Sequence, residues 1–330
     1  GSVGTMYYLD RFDEQGFPPP RALPGILEAA GASSLDATAW GITYPDFWRV
    51  FLGFFVTDRT LDRGWAMEQA WKRHLLKPDR MLSDWRTGLR QGWLPAAVLN
   101  ATVVETGEQF LLTNLDLPRS WPARRFYDTY PGYDVPVVTA ARLSAPFPWV
   151  SPISQALGEN GEPPERFREL HLADGGYYDN FGVVTAVNWL RSLTATPQLE
   201  ELRRRGVLLV LIRAFPEGRK DGALEDVERG WLYATAGPIL TMYNVRTSTQ
   251  AFHNNLEVEM LQDAWEKAYK VKLTPVIFEL RQKAPLSWKL TGLERKAILG
   301  GWEEAGNQES LRRVKGLFPD PRPSPLNLAR

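Results

Sequence analysis

The sequence predicts an α/β fold in which helices cover a mostly parallel sheet. The stretch 206–215, GVLLVLIRAF, is a nearly continuous apolar run, which is typical of a parallel strand that is buried on both faces. The stretch 274–281, TPVIFELR, indicates another strand, and helical patterns, notably 236–270, lie between the strands. Strands that alternate with helices favour a layered domain with a mostly parallel sheet.

The first part of the chain contains two helical patterns and a hairpin. Residues 2–12 carry aromatic residues and leucine at helical spacing, and an aromatic-rich helical pattern runs over 43–76 and ends before Lys77 and Pro78. The stretch 96–116 consists of two apolar runs around a Thr-Gly-Glu turn, which predicts a β-hairpin.

Three further elements are predicted in the middle of the chain. The stretch 135–145 indicates a short buried strand that breaks into a helix or loop, and the stretch 170–174 indicates a strand that ends at an aspartate. The stretch 180–193 predicts a helix, and Asp179 or Asn180 is placed to accept hydrogen bonds from its free N–H groups.

Composition limits the classes of function. Lysine plus arginine and aspartate plus glutamate both number 39, so the net charge is zero and the electrostatic argument for nucleic acid as a partner is lost. The 330 residues include no cysteine, which excludes disulfides and thiolate chemistry. No apolar run reaches the roughly 20 residues of a membrane-spanning helix. We expect a cytoplasmic or peripheral membrane protein, with any anchor in a segment that precedes Gly1.

A glycine-rich turn after a predicted strand is the strongest local signal. In HLADGGYYDNFGV, Asp174 ends the strand, and Gly175 and Gly176 follow at once. Functional groups of α/β proteins gather where strands end and helices begin. The glycines permit unusual backbone angles and close approach of another chain segment. Taken alone, the same pattern also fits a structural turn in which Asp174 accepts local N–H bonds.

Together with three other stretches, this turn resembles the patatin-like phospholipases, especially the bacterial members and the related cytosolic phospholipase A2 type. The other stretches are GSVGTMYYL at the start, ARLSAPFPWVSP at 141–152 and PLSWKLT at 285–291. The resemblance covers most of the chain, although 13–95 has no part in it. It implies a three-layer sandwich with a mostly parallel central sheet. It also implies a single domain over 1–330 without its N-terminal part, with a helical insertion at about 40–90 and a loose tail at about 318–330.

The resemblance also implies a catalytic dyad of serine and aspartate. The family's aspartate lies in Asp-Gly-Gly and maps onto Asp174. Its serine lies in a glycine-rich elbow, of which Gly1, Ser2 and Gly4 would be the remnant, so the nucleophile would lie two positions before Gly1. The expected activity is hydrolysis of carboxylic esters of phospholipids or lysophospholipids, without a cofactor or a metal.

Four alternatives stay open. Gly1-Ser2 could be a cloning remnant that happens to precede Val3. Ser2 itself could be the nucleophile of a shifted elbow. A histidine, above all His253, could complete a Ser-His-Asp triad. Finally, the chain could be a catalytically silent relative that acts as a membrane-associated scaffold or binding module.

Two residues of another segment that carries the resemblance are candidates for the substrate pocket. Arg142 and Ser144, in ARLSAPFPWVSP, could line the site for the acyl chain or head group. Equally, Arg142 could pair with a buried carboxylate, and Ser144 could lie in a turn. The aromatic residues of 40–76, which stand beside basic residues, further predict weak peripheral binding to a membrane.

Overall fold

A computed structural model describes most of the chain. The described residues are 1–48, 62–118, 120–145, 170–213, 253–280 and 290–318. The chain divides into two compact units, of which the first contains Gly1–Asn180 and the second begins at Phe181. The single domain over 1–330 stays a prediction. The predicted tail lies outside the described residues, apart from Phe318.

The first unit contains a mixed sheet of four strands in the order β3-β2-β1-β4. The strands are β1 (Val98–Val103), β2 (Gln109–Thr113), β3 (Arg124–Arg125) and β4 (Leu172–Asp174). β1 pairs antiparallel with β2 and with β4, whereas β2 pairs parallel with β3. The hairpin predicted over 96–116 is therefore confirmed, and so is the strand that ends at Asp174.

Eight helices of the described residues surround this sheet in the first unit. They are α1 (Ser2–Asp10), α2 (Leu23–Ala30), α3 (Leu35–Gly41), α4 (Arg63–Lys72), α5 (Leu82–Arg90), α6 (Phe126–Thr129), α7 (Val137–Ser144) and α8 (Gly176–Asp179), with a 3₁₀ turn at Pro20–Ala22 and a π-helical turn at Ile42–Asp46. The predicted helix at 2–12 is confirmed by α1. Most described residues between 40 and 90 are helical, although their status as an insertion stays a prediction.

The short strand predicted at the start of 135–145 is wrong, whereas the helix into which it was expected to break is confirmed, because Val137–Ser144 form helix α7. A short apolar run fits a buried strand and a buried helix equally well when only its hydrophobicity is considered. Here Pro136 precedes the helix with its fixed φ, and α7 packs against α1, α4, β1 and β4. Seven of its eight residues are buried, so its hydrophobic pattern shows no exposed helical face.

The core of the first unit lies between α1, α7 and the sheet. Its largest buried side chains include Trp85, Tyr7, Phe110 and Met6, each at most 1% exposed. The end of α1 is fixed by Asp10, whose carboxylate accepts the backbone N–H groups of Leu76 at 2.7 Å and Lys77 at 3.0 Å. Met6, Tyr7 and Leu9 of α1 are also buried, so the second half of this helix is fixed in the core of the unit.

The second unit contains two parallel strands and several helices. Its elements are α9 (Val183–Leu193), α10 (Gln198–Arg205), β5 (Val207–Arg213), β6 (Leu273–Glu279), α12 (Gly292–Gly300) and α13 (Ala305–Leu317), with helix α11 over 253–264 continued by a π-helical turn. β5 and β6 pair parallel, as predicted. Burial of β5 on both faces is wrong, because Val210 is 42% and Ile212 is 81% exposed. Parallel pairing satisfies the backbone, but it does not by itself cover the second face.

The predicted cap of helix α9 is also wrong. The N-cap residue is Gly182, which has φ of 70° and no side-chain hydrogen bond to the helix. Asp179 belongs instead to α8, where its backbone N–H donates to Gly175 O at 2.8 Å. The extra helical turn of α8 moves the start of α9 beyond the residues that were expected to cap it.

The described residues thus confirm an α/β composition of helices and strands. The sheet of the first unit is mixed, and the strand pair of the second unit is parallel. The three-layer sandwich stays a prediction.

Candidate active site

Asp174 lies at the end of the edge strand β4 in the first unit. Its backbone is opposite Ala101 of β1. The hydroxyl of Thr102 donates to the backbone oxygen of Asp174 at 2.9 Å. Strand pairing and this side-chain bond together fix the position from which the carboxylate projects.

The carboxylate of Asp174 is held by the following turn. The backbone N–H of Gly176 donates to Asp174 Oδ1 at 2.6 Å. A Cβ on Gly176 would lie 2.9 Å from this oxygen and 2.8 Å from Oδ1 of Asn180. A side chain at 176 would therefore displace the carboxylate, which explains why glycine is needed there.

Gly175 is required for a different reason, the close approach of β1. A Cβ on this residue would lie 2.0 Å from the backbone oxygen of Asn100 and 2.5 Å from its carbonyl carbon. Its φ is −60°, so the backbone angle alone would accept any residue. The expectation of unusual backbone angles is wrong for Gly175, whereas the expected close approach of another segment is confirmed.

Ser144, the last residue of α7, connects this turn to β1 and α1. The backbone N–H of Gly175 donates to Ser144 O at 3.1 Å. The Ser144 hydroxyl donates to the backbone oxygen of Asn100 and lies 2.6 Å from the hydroxyl oxygen of Ser2. A hydroxyl has one proton, and a carbonyl can only accept. Ser2 is therefore the donor in its bond with Ser144.

The first turn of α1 lies beside Asp174. The Ser2 hydroxyl lies 2.6 Å from the Ser144 hydroxyl oxygen, and the backbone oxygen of Ser144 accepts from Gly175, the residue after Asp174. The structure thus brings together three of the predicted positions, Gly1, Ser2 and Asp174, from the two ends of the first unit. Gly4 is exposed, and a Cβ on it would meet no atom within 4 Å.

Arg142 forms the ion pair that was one of its two predicted roles. Its Nε lies 2.5 Å from Oε1 of Glu68 on α4, and the two side chains are only 10% and 12% exposed. A Cβ on Gly64, also on α4, would lie 2.9 Å from the Arg142 guanidinium. The pair therefore fastens α7 to α4, and a role of Arg142 in binding substrate stays a prediction.

The histidines have other surroundings. Nδ1 of His171 lies 2.5 Å from Oε1 of Glu105, which also accepts the His171 backbone N–H at 3.1 Å. Although desolvation raises the pKa of Glu105, the bonds from His171 lower it more, so the net pKa is below its usual value. His74 contributes its backbone oxygen to Arg11 at 3.2 Å. His253 belongs to the second unit, at the start of α11.

Several residues of the site were not identified from the sequence. Asn100 supplies the oxygen that Gly175 and Ser144 approach, and Thr102 holds the Asp174 backbone. The available signal was an isolated polar pair within the apolar strand VLNATV. Tyr177 and Tyr178, each 37% exposed, follow the turn and offer aromatic surface beside Asp174.

Neither a metal-binding cluster nor a membrane-spanning helix is found among the described residues. In the part of the chain that the structure describes, no group of three or more His, Asp or Glu side chains could hold a metal ion. Among the same residues, every helix is too short or too polar to cross a membrane. No protein-family model, curated protein or solved structure matches this chain. Functional inference therefore rests on the residues of the site.

Proposed function

We propose that the chain is the major part of a patatin-like lipid acyl hydrolase, which cleaves carboxylic esters of phospholipids or lysophospholipids through an acyl-serine intermediate. The observation that carries this proposal is the link between the first turn of α1 and the Asp174 turn: the Ser2 hydroxyl lies 2.6 Å from that of Ser144, and Gly175 N–H donates to Ser144 O at 3.1 Å. A dyad needs its serine at the start of a helix and within reach of the base. The place of Gly1 supports a serine two positions before it that would meet this requirement.

In the proposed reaction, Asp174 accepts the proton of that serine as its oxygen attacks the ester carbonyl carbon. The tetrahedral intermediate collapses to an acyl-serine, and the leaving alcohol takes the proton. Water then releases the fatty acid by the reverse proton path. The N-terminal end of α1 offers free N–H groups and a partial positive charge to the developing oxyanion.

The structure of the turn supports a base that is fixed before substrate binds. Gly176 N–H orients one carboxylate oxygen, and the Thr102 hydroxyl orients the Asp174 backbone. A carboxylate is a weak base, so its contribution depends on placement within hydrogen-bond reach of the proton that it removes. Both bonds restrict the motion of Asp174, and such motion would reduce its contribution to the reaction rate.

An exposed aromatic surface on the first unit supports a lipid substrate and peripheral membrane contact. This surface consists of Trp40, Tyr44, Phe47, Trp48 and Trp65, which are 37–54% exposed. The rings of Trp40 and Tyr44 are 5.8 Å apart, and those of Trp40 and Trp65 are 6.4 Å apart. Tryptophan and tyrosine favour the boundary between lipid and water because each has an apolar body and a polar group.

A catalytically silent membrane-associated module is the alternative function. The hydroxyl proton of Ser2 is donated to Ser144, so Ser2 does not supply a ready nucleophile within the present sequence. Sequencing the residues that precede Gly1 distinguishes the two functions. A Gly-x-Ser-Gly segment there supports the hydrolase, and its absence supports the module.

The direct test replaces Asp174 by asparagine in a protein extended through the elbow. Hydrolysis of a short-chain p-nitrophenyl ester is measured together with the melting temperature. Asparagine can still accept the Gly176 N–H bond, but it cannot take the serine proton. We expect the rate to fall by about 10²–10⁴ with little change in melting temperature, and we expect the 330-residue chain without the extension to be inactive.

Asp134→Asn is the matched control for this test. Asp134 accepts bonds from Tyr127 and from the backbone of Val135, so it is a carboxylate with a structural role. Its replacement should lower the melting temperature and leave the rate per folded molecule unchanged. If Asp174→Asn behaves like this control, Asp174 forms a turn only, and the dyad is wrong.

A further inference from the structure

We propose that Ser144 is a positioning residue, which holds the first turn of α1 and the Asp174 turn in a fixed relation; this inference rests on the proposed function. In the sequence Ser144 is a candidate for the substrate pocket. The structure gives it three hydrogen bonds to three separate segments, and each segment contributes to the candidate site.

The three bonds join positions that are far apart in the chain. The Ser144 hydroxyl accepts from Ser2 at 2.6 Å and donates to the backbone oxygen of Asn100. Its backbone oxygen accepts from Gly175 at 3.1 Å. Ser144 is 5% exposed, so water has little access to replace these bonds. One buried residue thereby links the start of α1, the middle of β1 and the turn after Asp174.

The segments on which Ser144 depends are themselves held by an ion pair and by strand pairing. Arg142, two residues earlier on α7, is paired with Glu68 of α4. The backbone oxygen of Asn100 belongs to β1, which is paired on both sides by β2 and β4. Through its bonds, Ser144 therefore holds the first turn of α1 in place relative to the sheet and to α4.

This link matters for the reaction because its two reacting groups come from different segments. The serine would be placed by α1, whereas the base is placed by β4. Their separation depends on the contact between these segments, and a displacement of about 1 Å can lower a rate by about 10²-fold. Loss of the Ser144 hydroxyl would release the first turn of α1 from Ser144 and Ser144 from β1. The bond from Gly175 N–H to the Ser144 backbone oxygen and both reacting groups would remain.

The kinetic test compares Ser144→Ala with Thr113→Val in the extended protein. Thr113 is the matched control, since it is 4% exposed and its hydroxyl also makes two buried bonds, to Ala97 O at 2.7 Å and from Leu115 N at 3.0 Å. We expect Ser144→Ala to lower kcat by about 10²-fold with KM changed less than about threefold. Thr113→Val should lower the melting temperature to a similar extent and leave kcat unchanged.

Rescue by Ser144→Thr provides the second kinetic readout. Threonine restores a hydroxyl at this position, so most of the lost kcat should return if the bonds to Ser2 and Asn100 are responsible. A purely structural role predicts the opposite order, because the added methyl group must fit into a buried space. Equal losses of kcat in Ser144→Ala and Thr113→Val would overturn the inference.

Hydrogen exchange tests the same link without any catalytic activity, in the 330-residue chain. The amide of Thr5, bonded to Gly1 O, reports on the first turn of α1, and the amide of Gly175 reports on the Asp174 turn. Ser144→Ala should accelerate exchange at Thr5 relative to wild type and change it little at Gly175, whose partner is the Ser144 backbone oxygen; Thr113→Val should change neither. Unchanged exchange at Thr5 would overturn the positioning role. Accelerated exchange together with an extended wild type that hydrolyses no ester would support the link and reject the proposed hydrolase.

Discussion

The side-chain oxygens of Ser2 and Ser144 lie 2.6 Å apart, although the two residues are 142 positions apart in the chain. Because Ser144 donates its own proton to the backbone of Asn100, Ser2 must donate to Ser144. The Ser2 proton is thus directed to another hydroxyl. This bond is evidence against the alternative in which Ser2 is the nucleophile.

Replacement of Ser2 by alanine tests this conclusion in the extended protein. We expect hydrolysis to fall by only about tenfold, since one bond that positions α1 is lost, against about 10⁶-fold for loss of a serine nucleophile. A fluorophosphonate probe should still label the protein, and mass spectrometry should locate the label before Gly1. A label on Ser2 in the wild type, absent in Ser2→Ala, would identify Ser2 as the nucleophile.

Gly175→Ala should strongly destabilise the first unit. Its Cβ would lie 2.0 Å from the backbone oxygen of Asn100, and neither backbone can move without breaking the strand pairing. Overpacking of this kind costs about 3 kcal/mol, which urea unfolding can measure. Gly25→Ala is the control, because a Cβ there meets no atom within 4 Å and should stabilise α2 by up to about 1 kcal/mol. Equal stability of the two variants would show that the approach of Gly175 to β1 is not close.

The aromatic surface should bind phospholipid vesicles weakly. Replacing Trp40 and Trp65 together by serine should abolish flotation with vesicles of phosphatidylcholine and phosphatidylglycerol, because aromatic area at the interface is lost. Trp189→Ser is the control, since Trp189 is similarly exposed at 36% and lies outside this surface. Equal flotation of the double variant and wild type would reject membrane contact through these residues.

The pair of Glu105 and His171 should stabilise the protein in a pH-dependent way. Bonds from His171 outweigh desolvation and lower the pKa of Glu105, so the stabilisation is present above the unfolded pKa, about 4.3. It is lost as the pH falls through the lower folded pKa. The melting temperature of wild type should exceed that of Glu105→Gln at pH 6, and the two should converge as the pH falls through the lowered pKa of Glu105. The side chains of His171 and Glu105 are 41% and 35% exposed. The difference in free energy of unfolding between wild type and Glu105→Gln should therefore stay below about 1 kcal/mol. A difference in melting temperature that grew as the pH fell would contradict the predicted direction of this pH dependence.

Elements with a clear local pattern were predictable from the sequence. The helix at Ser2–Asp10, the hairpin of Val98–Val103 and Gln109–Thr113, and the parallel strands β5 and β6 all follow from hydrophobic spacing and turn residues. Helix α7 was not predictable over its whole length, because seven of its eight residues are buried and the polar positions that mark helical periodicity are missing. The cap of α9 was also missed, since an unexpected short helix includes Asp179.

The candidate site was predictable only in part. Asp174 and its two glycines stand out locally, and the need for Gly175 and Gly176 follows from close contacts that the sequence leaves unspecified. The roles of Asn100 and Ser144 depend on contacts across 44 residues, from β1 to the end of α7. Such contacts exist only after the chain has folded. The polar pair in VLNATV marks Asn100 as unusual for an apolar strand, but it does not indicate which residues Asn100 contacts.

The narrow pairing of β4 makes Asp174 sensitive to strand register. β4 pairs through only three residues, with Leu172 opposite Val103 and Asp174 opposite Ala101. Leu172 is 3% exposed, and side chains alternate between the two faces of a strand. A slip by one residue would place Ala173 in the position of Leu172 and turn Asp174 to the opposite face. The orientation of the proposed base is therefore decided by the burial of one leucine, two residues before it.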